Sequence, residues 1–137
     1  MTTEMMTFQV SAHRTDASSS KVRSKQAEIK IDTSMAGRLD ALNPVELLLA
    51  SLAACIIKGI ERVADTLGID YESVDVALTA YRPVDEARID DIDYLVTIGT
   101  SADQIKLDLL HKNLMKFGTI YNTIKIGTKL TGSIVAK

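Results

Sequence analysis

Cysteine is almost absent from this sequence, which contains only Cys55. One cysteine excludes an intramolecular disulfide, leaves no cysteine cluster for a metal, and is typical of proteins from a reducing cytoplasm. Tryptophan is also absent and aromatic residues make up only 4% of the chain. We therefore expect a cytoplasmic protein with an aliphatic core and no bound metal or cofactor.

Other features are missing as well, and each absence removes a class of partner. The formal net charge is −2, and no block of lysine and arginine marks a nucleic-acid surface. No apolar run is long enough to span a membrane, and the first ten residues lack the basic and apolar regions of a signal peptide. The sequence therefore predicts a soluble protein without a nucleic-acid or membrane partner.

The length and the balance of residues favour one folded unit. The chain has 137 residues, of which 46% are apolar and 25% are charged, as in ordinary globular domains. Neither an internal repeat nor a long linker interrupts it. We predict a single domain over residues 1–137.

The first third of the chain has the two-residue alternation of β-strands. One alternating set belongs to a first strand and the other to a second: Met6, Phe8, Val10 and Ala12, then Ala27, Ile29 and Ile31. The polar residues Asp16–Ser20 between them predict a turn. The simplest interpretation is a β-hairpin with one face on the core.

The clearest local signal predicts a helix from Pro44 to about Leu67. Asn43 is a suitable N-cap, and proline is favoured at the first helical position. Glu46 is placed to complete a capping box by bonding back to the cap residue. Gly68 is a typical C′ residue and predicts the end of the helix.

The segment Leu47–Ile57 of this helix contains no charged residue. Because it has no polar face, it must be covered on every side, and we expect Cys55 to be buried within it. A small sheet covers one side only, so we predict a homodimer with the two central helices near the two-fold axis. The alternative is that the carboxy-terminal helix alone covers the other side.

The second half of the chain predicts another hairpin, a helix and a final strand. Alternation over Val74–Ala80 and Ile92–Ile98 predicts two antiparallel strands. A second capping box, Ser101–Gln104, opens a helix that ends near Gly118. A strand over Thr128–Ala136 completes the order ββ-α-ββ-α-β, with antiparallel sheets and a buried central helix, which is an α+β fold.

Cys55 is the only residue with obvious nucleophilic chemistry. It is either a thiolate nucleophile or a buried space-filling side chain, since unpaired cysteines are often core residues. A reactive thiolate needs a nearby cation, which Lys58, Arg14, Arg23 or Arg38 could supply. The two histidines, His13 and His111, are isolated in sequence and are expected to be surface or capping residues.

Residues 43–55 resemble the central-helix signature of the OsmC/Ohr proteins, the osmotically inducible protein C and organic hydroperoxide resistance families. The shared pattern is the Asn43-Pro44 cap, Glu46, a leucine- and alanine-rich run, and Cys55. The similarity continues over most of the chain. It implies an intertwined α+β homodimer whose central helices are enclosed by sheets.

The resemblance also implies a chemistry. Peroxidases of this family attack an organic hydroperoxide with the helix cysteine, which Cys55 matches, and resolve the sulfenic acid with a second cysteine. An arginine and a glutamate near the thiol assist, and an external dithiol resets the pair. Here Gly118 occupies the position of the second cysteine and Val45 that of the glutamate, while Glu46 faces about 100° away around the helix.

Two functional hypotheses follow for a divergent member that lacks the second cysteine. In the first, Cys55 reduces organic hydroperoxides, an external thiol resolves the sulfenic acid, and Glu46 with one of Arg14, Arg23 and Arg38 assists the thiolate. In the second, a non-catalytic homodimer binds an apolar ligand or partner in its interface cleft.

Overall fold

The computed structural model describes residues 3–128 and 130–137. It contains two compact units, one ending at Leu48 and the other beginning at Leu49. Each unit contains an antiparallel sheet. In the chain, one helix follows the first sheet and two helices follow the second. The predicted α+β class is therefore confirmed.

The first unit contains a three-stranded antiparallel sheet rather than the predicted two-stranded hairpin. Its strands, in spatial and chain order, are β1 (Ser11–Asp16), β2 (Ser19–Ser24) and β3 (Ala27–Asp32). The predicted turn at 16–20 is shorter than expected, because residues 19 and 20 already belong to β2. The β2–β3 turn is equally tight, with Lys25 at a φ of 57°.

The predicted first strand over residues 6–12 was wrong in its position. The β1–β2 ladder begins with Ser11 opposite Arg23, and β2 ends one residue later at Ser24. Only Ser24 of β2 remains beyond this pair, so residues 3–10 have almost no β2 residues to pair with, and they are not a strand in the structure. Alternation reports a face that can be buried, whereas a strand also needs a hydrogen-bonded neighbour.

The loop after β3 is held by the carboxylate of Asp32. It accepts hydrogen bonds from the Ser34 amide and hydroxyl, at 2.9 and 2.6 Å, and from the Arg38 amide at 2.8 Å. The Asp32 amide in turn donates to the carbonyl of Leu42 at 2.9 Å. These bonds bring the chain to the start of the central helix.

The central helix, α1, spans Pro44–Val63. Its predicted capping box is confirmed, since the Glu46 amide donates to Asn43 Oδ1 and the Asn43 amide donates to Glu46 Oε1, both at 2.9 Å. The helix ends four residues before the predicted Leu67, and residues 64–68 form turns. Gly68 then adopts a φ of +68°, the left-handed conformation that favours glycine.

The core of the second unit is built on residues of α1 that recur every fourth position. Leu52, Ile56 and Ile60 are buried and pack with three further buried residues: Ala64, Ile69 and Leu110. The strands β4 (Ser73–Tyr81) and β5 (Asp91–Gly99) form the predicted antiparallel hairpin. Its alternate, half-buried side chains cover this cluster.

Two helices follow the hairpin where one was predicted. Helix α2 spans Gln104–Phe117, and its N-cap is Asp103 rather than the expected Ser101, since Asp103 Oδ1 accepts from the Lys106 amide at 3.0 Å. Helix α3 spans Thr119–Ile126. No helix in the described part of the chain combines the length and apolarity needed to cross a membrane.

The predicted last strand was wrong for the residues that the structure describes. Residues 130–136 form no strand, and Lys129, which falls within the prediction, lies outside the described residues. The two sheets of the described residues consist of β1–β3 and of β4 and β5, and neither includes this segment. As in residues 3–10, alternation alone does not supply a hydrogen-bonding partner.

Candidate thiol site on the central helix

Cys55 is partly exposed in the single chain, so one copy alone does not bury it as the sequence predicted. The buried face of α1 is formed by Leu52, Ile56 and Ile60. At about 100° per residue, Cys55 lies about 60° around the helix from Leu52, at the border of that face. Cys55 therefore lies at the edge of the buried face and keeps part of its surface accessible.

The junction between α2 and α3 lies against this thiol. A Cβ placed on Gly118 would be 3.4 Å from Cys55 Sγ, 3.2 Å from Tyr121 Cβ and only 2.7 Å from the carbonyl oxygen of Leu114. The Gly118 amide donates to that same carbonyl at 3.0 Å. Glycine is favoured here by the close approach of the backbone, because its φ of −75° suits any residue.

A small cavity of about 120 Å³ lies near the thiol site, although neither Cys55 nor Gly118 lines it. Leu52, one turn before Cys55, lines it together with Tyr121, one turn after Gly118. The remaining lining residues are Ile92, Tyr94, Ile124 and Lys125. The cavity is thus mainly apolar, with two tyrosines and one ammonium group in its wall.

Glu46 lies in the first unit, and its carboxylate is occupied by the helix cap. Its Oε1 accepts the Asn43 amide, as described above. This bond is the structural role that the sequence predicted for it. Val45, at the position of the family glutamate, is half-buried and offers no acidic group.

The three candidate arginines also belong to the first unit, and two of them pair with carboxylates there. Arg38 donates from Nε and Nη2 to the two oxygens of Asp40, at 2.7 and 2.8 Å, and from Nη1 to Ser18 Oγ at 3.1 Å. These hydrogen bonds hold the pKa of Asp40 well below its usual range and raise the pKa of Arg38. Arg38 is therefore held firmly within its own loop.

Arg23 and Arg14 differ in their surroundings. Arg23 bonds to Glu28 on the neighbouring strand, and this bond lowers the pKa of the Glu28 carboxyl. Arg14, in β1 opposite Ser20, is exposed and has no ion pair among the described residues. Of the three, Arg14 is the one whose guanidinium is not neutralised within the described first unit.

The structure also brings together two residues that sequence reasoning did not connect. Tyr94 on β5 and His111 on α2 form a hydrogen bond of 2.6 Å between Oη and Nε2, with their rings perpendicular. Burial raises the pKa of Tyr94, which favours its neutral form. His111 is exposed, as expected, but it is not isolated. No local signal in the sequence links a strand residue to a helix residue in this way.

The central helix that carries Cys55, and the elements that follow it, lie within a match to a known protein family. The match to the OsmC-like protein family spans residues 36–132, most of the chain and all of α1. The chain belongs to the OsmC-like protein family. No curated protein is significantly similar to it in sequence.

Solved structures support the fold of this OsmC-like chain. An OsmC-like protein from Mycoplasma pneumoniae is 18% identical, with 88% of each chain covered and a TM-score of 0.81. An organic hydroperoxide resistance protein OsmC from Legionella pneumophila is 20% identical over 90% of this chain and 92% of that one, with a TM-score of 0.65. The organic hydroperoxide resistance protein OhrB of Bacillus subtilis is 20% identical over 89% of this chain and 93% of that one, with a TM-score of 0.61. At these identities the likeness establishes the fold alone.

Proposed function

We propose that this OsmC-like protein is a thiol-dependent peroxidase that reduces organic hydroperoxides with Cys55 as its only redox-active cysteine. The observation that carries the proposal is the partly exposed thiol of α1 facing Gly118, where the family places a second cysteine. The names of the similar proteins from Legionella pneumophila and Bacillus subtilis, both called organic hydroperoxide resistance proteins, support the substrate class.

The reaction balances with one cysteine and two equivalents of an external thiol. The Cys55 thiolate attacks the distal peroxide oxygen, the O–O bond breaks, and the leaving alkoxide takes a proton to give an alcohol. The resulting sulfenic acid condenses with an external thiol to form a mixed disulfide and water. A second thiol then releases Cys55 and leaves with the first as a disulfide.

The apolar cavity near the thiol site suits the organic part of such a substrate. Its 120 Å³ are lined mainly by apolar and aromatic side chains, as in pockets that select an apolar group. The same cavity supports the alternative function, in which the protein binds an apolar ligand without reacting with it. Reactivity of Cys55 distinguishes the two functions.

The test is turnover of cumene hydroperoxide with a dithiol reductant, comparing the wild type with Cys55→Ser. The proposal expects turnover in the wild type and background rates in the variant and in wild type alkylated with iodoacetamide. Trapping of a sulfenic acid on Cys55 with dimedone checks the intermediate. Equal turnover in wild type and Cys55→Ser rejects the peroxidase, and ligand binding without turnover favours the alternative.

We also propose that the chain forms one OsmC-like domain that works as a cytoplasmic homodimer. Exposed apolar residues support a partner surface, among them Ile57 on α1, with 40% of its surface accessible, and Phe8, with 82% accessible. An apolar helix face of this kind is typical of an obligate interface. Light scattering in solution should give twice the mass of the chain, and Ile57→Glu should shift it toward the monomer.

A further inference from the structure

A second and larger cavity lies between β5 and α2, in the same unit as the thiol. Its volume is about 340 Å³. Most of its wall is aliphatic and comes from both elements: Leu95, Val96, Ile98, Leu107, Leu110 and Leu114. It shares only Tyr94 with the smaller cavity that we assign to the peroxide substrate.

Four polar side chains complete the wall: Tyr94, Gln104, Asp108 and His111. Tyr94 and His111 bond to each other, as described above. Asp108 accepts one hydrogen bond, from Gln104 Nε2 at 2.8 Å. A carboxylate has room for several donors, so most of the acceptor capacity of Asp108 is unused by this bond.

No cation neutralises Asp108 among the described residues. The lining contains no lysine or arginine, and Asp108 takes part in none of the described ion pairs. Two lysines of α2 are engaged elsewhere, Lys106 with the carbonyl of Gly68 and Lys116 with the ring of Phe117. Lys112, one turn after Asp108, is not within ion-pair distance of it. The polar end of the cavity therefore presents a carboxylate that has no lysine or arginine partner among the described residues.

We propose that this cavity binds a small organic cation, namely a primary amine attached to an apolar aryl or alkyl group. The ammonium group donates to Asp108, and the apolar group lies against the aliphatic wall. Pockets of this kind bind by apolar contact and select by a few placed polar groups. A charge-assisted hydrogen bond to a carboxylate is among the stronger ones available. This proposal goes beyond the peroxidase and does not depend on Cys55.

The experiment titrates the full-length protein with 2-phenylethylamine and, in parallel, with 3-phenylpropanoate, which carries the opposite charge on a similar apolar group. Amide chemical shifts are followed by NMR. The amine should move the signals of β5 and α2 and should bind at least about tenfold more tightly than the carboxylate. Equal binding of the two probes, or no response to the amine in the millimolar range, overturns the proposal.

Two matched variants locate the charge. Asp108→Asn removes the carboxylate from an exposed helix position and should weaken binding of the amine about tenfold or more. Asp75→Asn removes the same charge from the exposed face of β4, outside the cavity, and should leave the affinity unchanged. An unchanged affinity in Asp108→Asn rejects the site. Cys55→Ser should bind the amine like the wild type, which separates this result from the peroxidase test.

Discussion

Gly118 lies directly against the thiol of Cys55, so close that a Cβ at position 118 would be 3.4 Å from the sulfur. The position where the family resemblance placed a second cysteine is thus next to the first cysteine in this structure. The backbone at position 118 is close enough to Cys55 for a cysteine there to reach its sulfur, but the chain has glycine at this position. If Cys55 is reactive, its resolving thiol has to come from outside the chain.

The first prediction restores the missing sulfur with Gly118→Cys. A Cβ at position 118 would be 3.4 Å from Cys55 Sγ, which puts the sulfur of a cysteine there within reach of Cys55 after a small adjustment. After treatment with cumene hydroperoxide, the variant should form an intramolecular disulfide, seen as the loss of two protons by intact mass and no free thiol. Two thiols that persist after oxidation would contradict the assignment of position 118.

The matched control for this variant is Gly118→Ala. Its Cβ would approach the Leu114 carbonyl at 2.7 Å, so the backbone has to shift, and we expect a loss of about 1–3 kcal/mol in the free energy of unfolding. Urea denaturation measures this loss. A stability equal to that of the wild type would show that the α2–α3 junction is looser than the structure describes.

The second prediction separates the capping role of Glu46 from a catalytic one. Asn43→Ala removes the side-chain cap of α1 and should cost about 0.5–2 kcal/mol of stability. Glu46→Gln keeps an acceptor for the Asn43 amide and should lose little stability. If Glu46 acts only as a cap, hydroperoxide turnover of Glu46→Gln also stays at the wild-type level. A strong loss of turnover with normal stability would assign it a chemical role.

The third prediction concerns the stability of the folded protein at acidic pH. The pKa of Asp32 is lowered by the Ser34 hydroxyl and amide and then by the Arg38 amide, and the pKa of Asp40 is lowered mainly by Arg38. Carboxyls with lowered folded-state pKa values stabilise the folded protein fully above their unfolded pKa, about 3.9. This contribution is lost as the pH falls through the folded-state pKa values.

Stability should therefore fall as the pH drops below about 4, and the fall should be smaller in Asp40→Asn. Urea midpoints at a series of pH values measure this, with Asp91→Asn, an exposed strand residue, as the control. An identical pH dependence in wild type and Asp40→Asn would mean that the Arg38–Asp40 pair does not persist in solution.

The fourth prediction tests the hydrogen bond between Tyr94 and His111. Tyr94→Phe removes the hydroxyl alone and should cost about 0.5–1.5 kcal/mol, as for a typical intramolecular hydrogen bond. A double-mutant cycle with His111→Ala isolates the pair from the other contacts of each residue. A coupling energy near zero would contradict the bond.

Much of the secondary structure was determined by local signals. The Asn43–Glu46 box begins α1 at Pro44 because its two hydrogen bonds need only four consecutive residues. The left-handed Gly68 follows the helix for an equally local reason, and the alternation of β4 and β5 reports one buried face. The resemblance of residues 43–55 to the OsmC/Ohr proteins correctly identified the family.

Only the tertiary structure decided where these elements find partners. Residues 3–10 and 130–136 alternate like strands, yet neither belongs to a described sheet, because a strand depends on a neighbour that alternation does not specify. Cys55 is partly exposed because the core follows Leu52 and Ile56, and composition alone does not orient a helix. The approach of Gly118 to Cys55 and of Tyr94 to His111 depends on packing between distant segments, which a one-dimensional pattern does not contain.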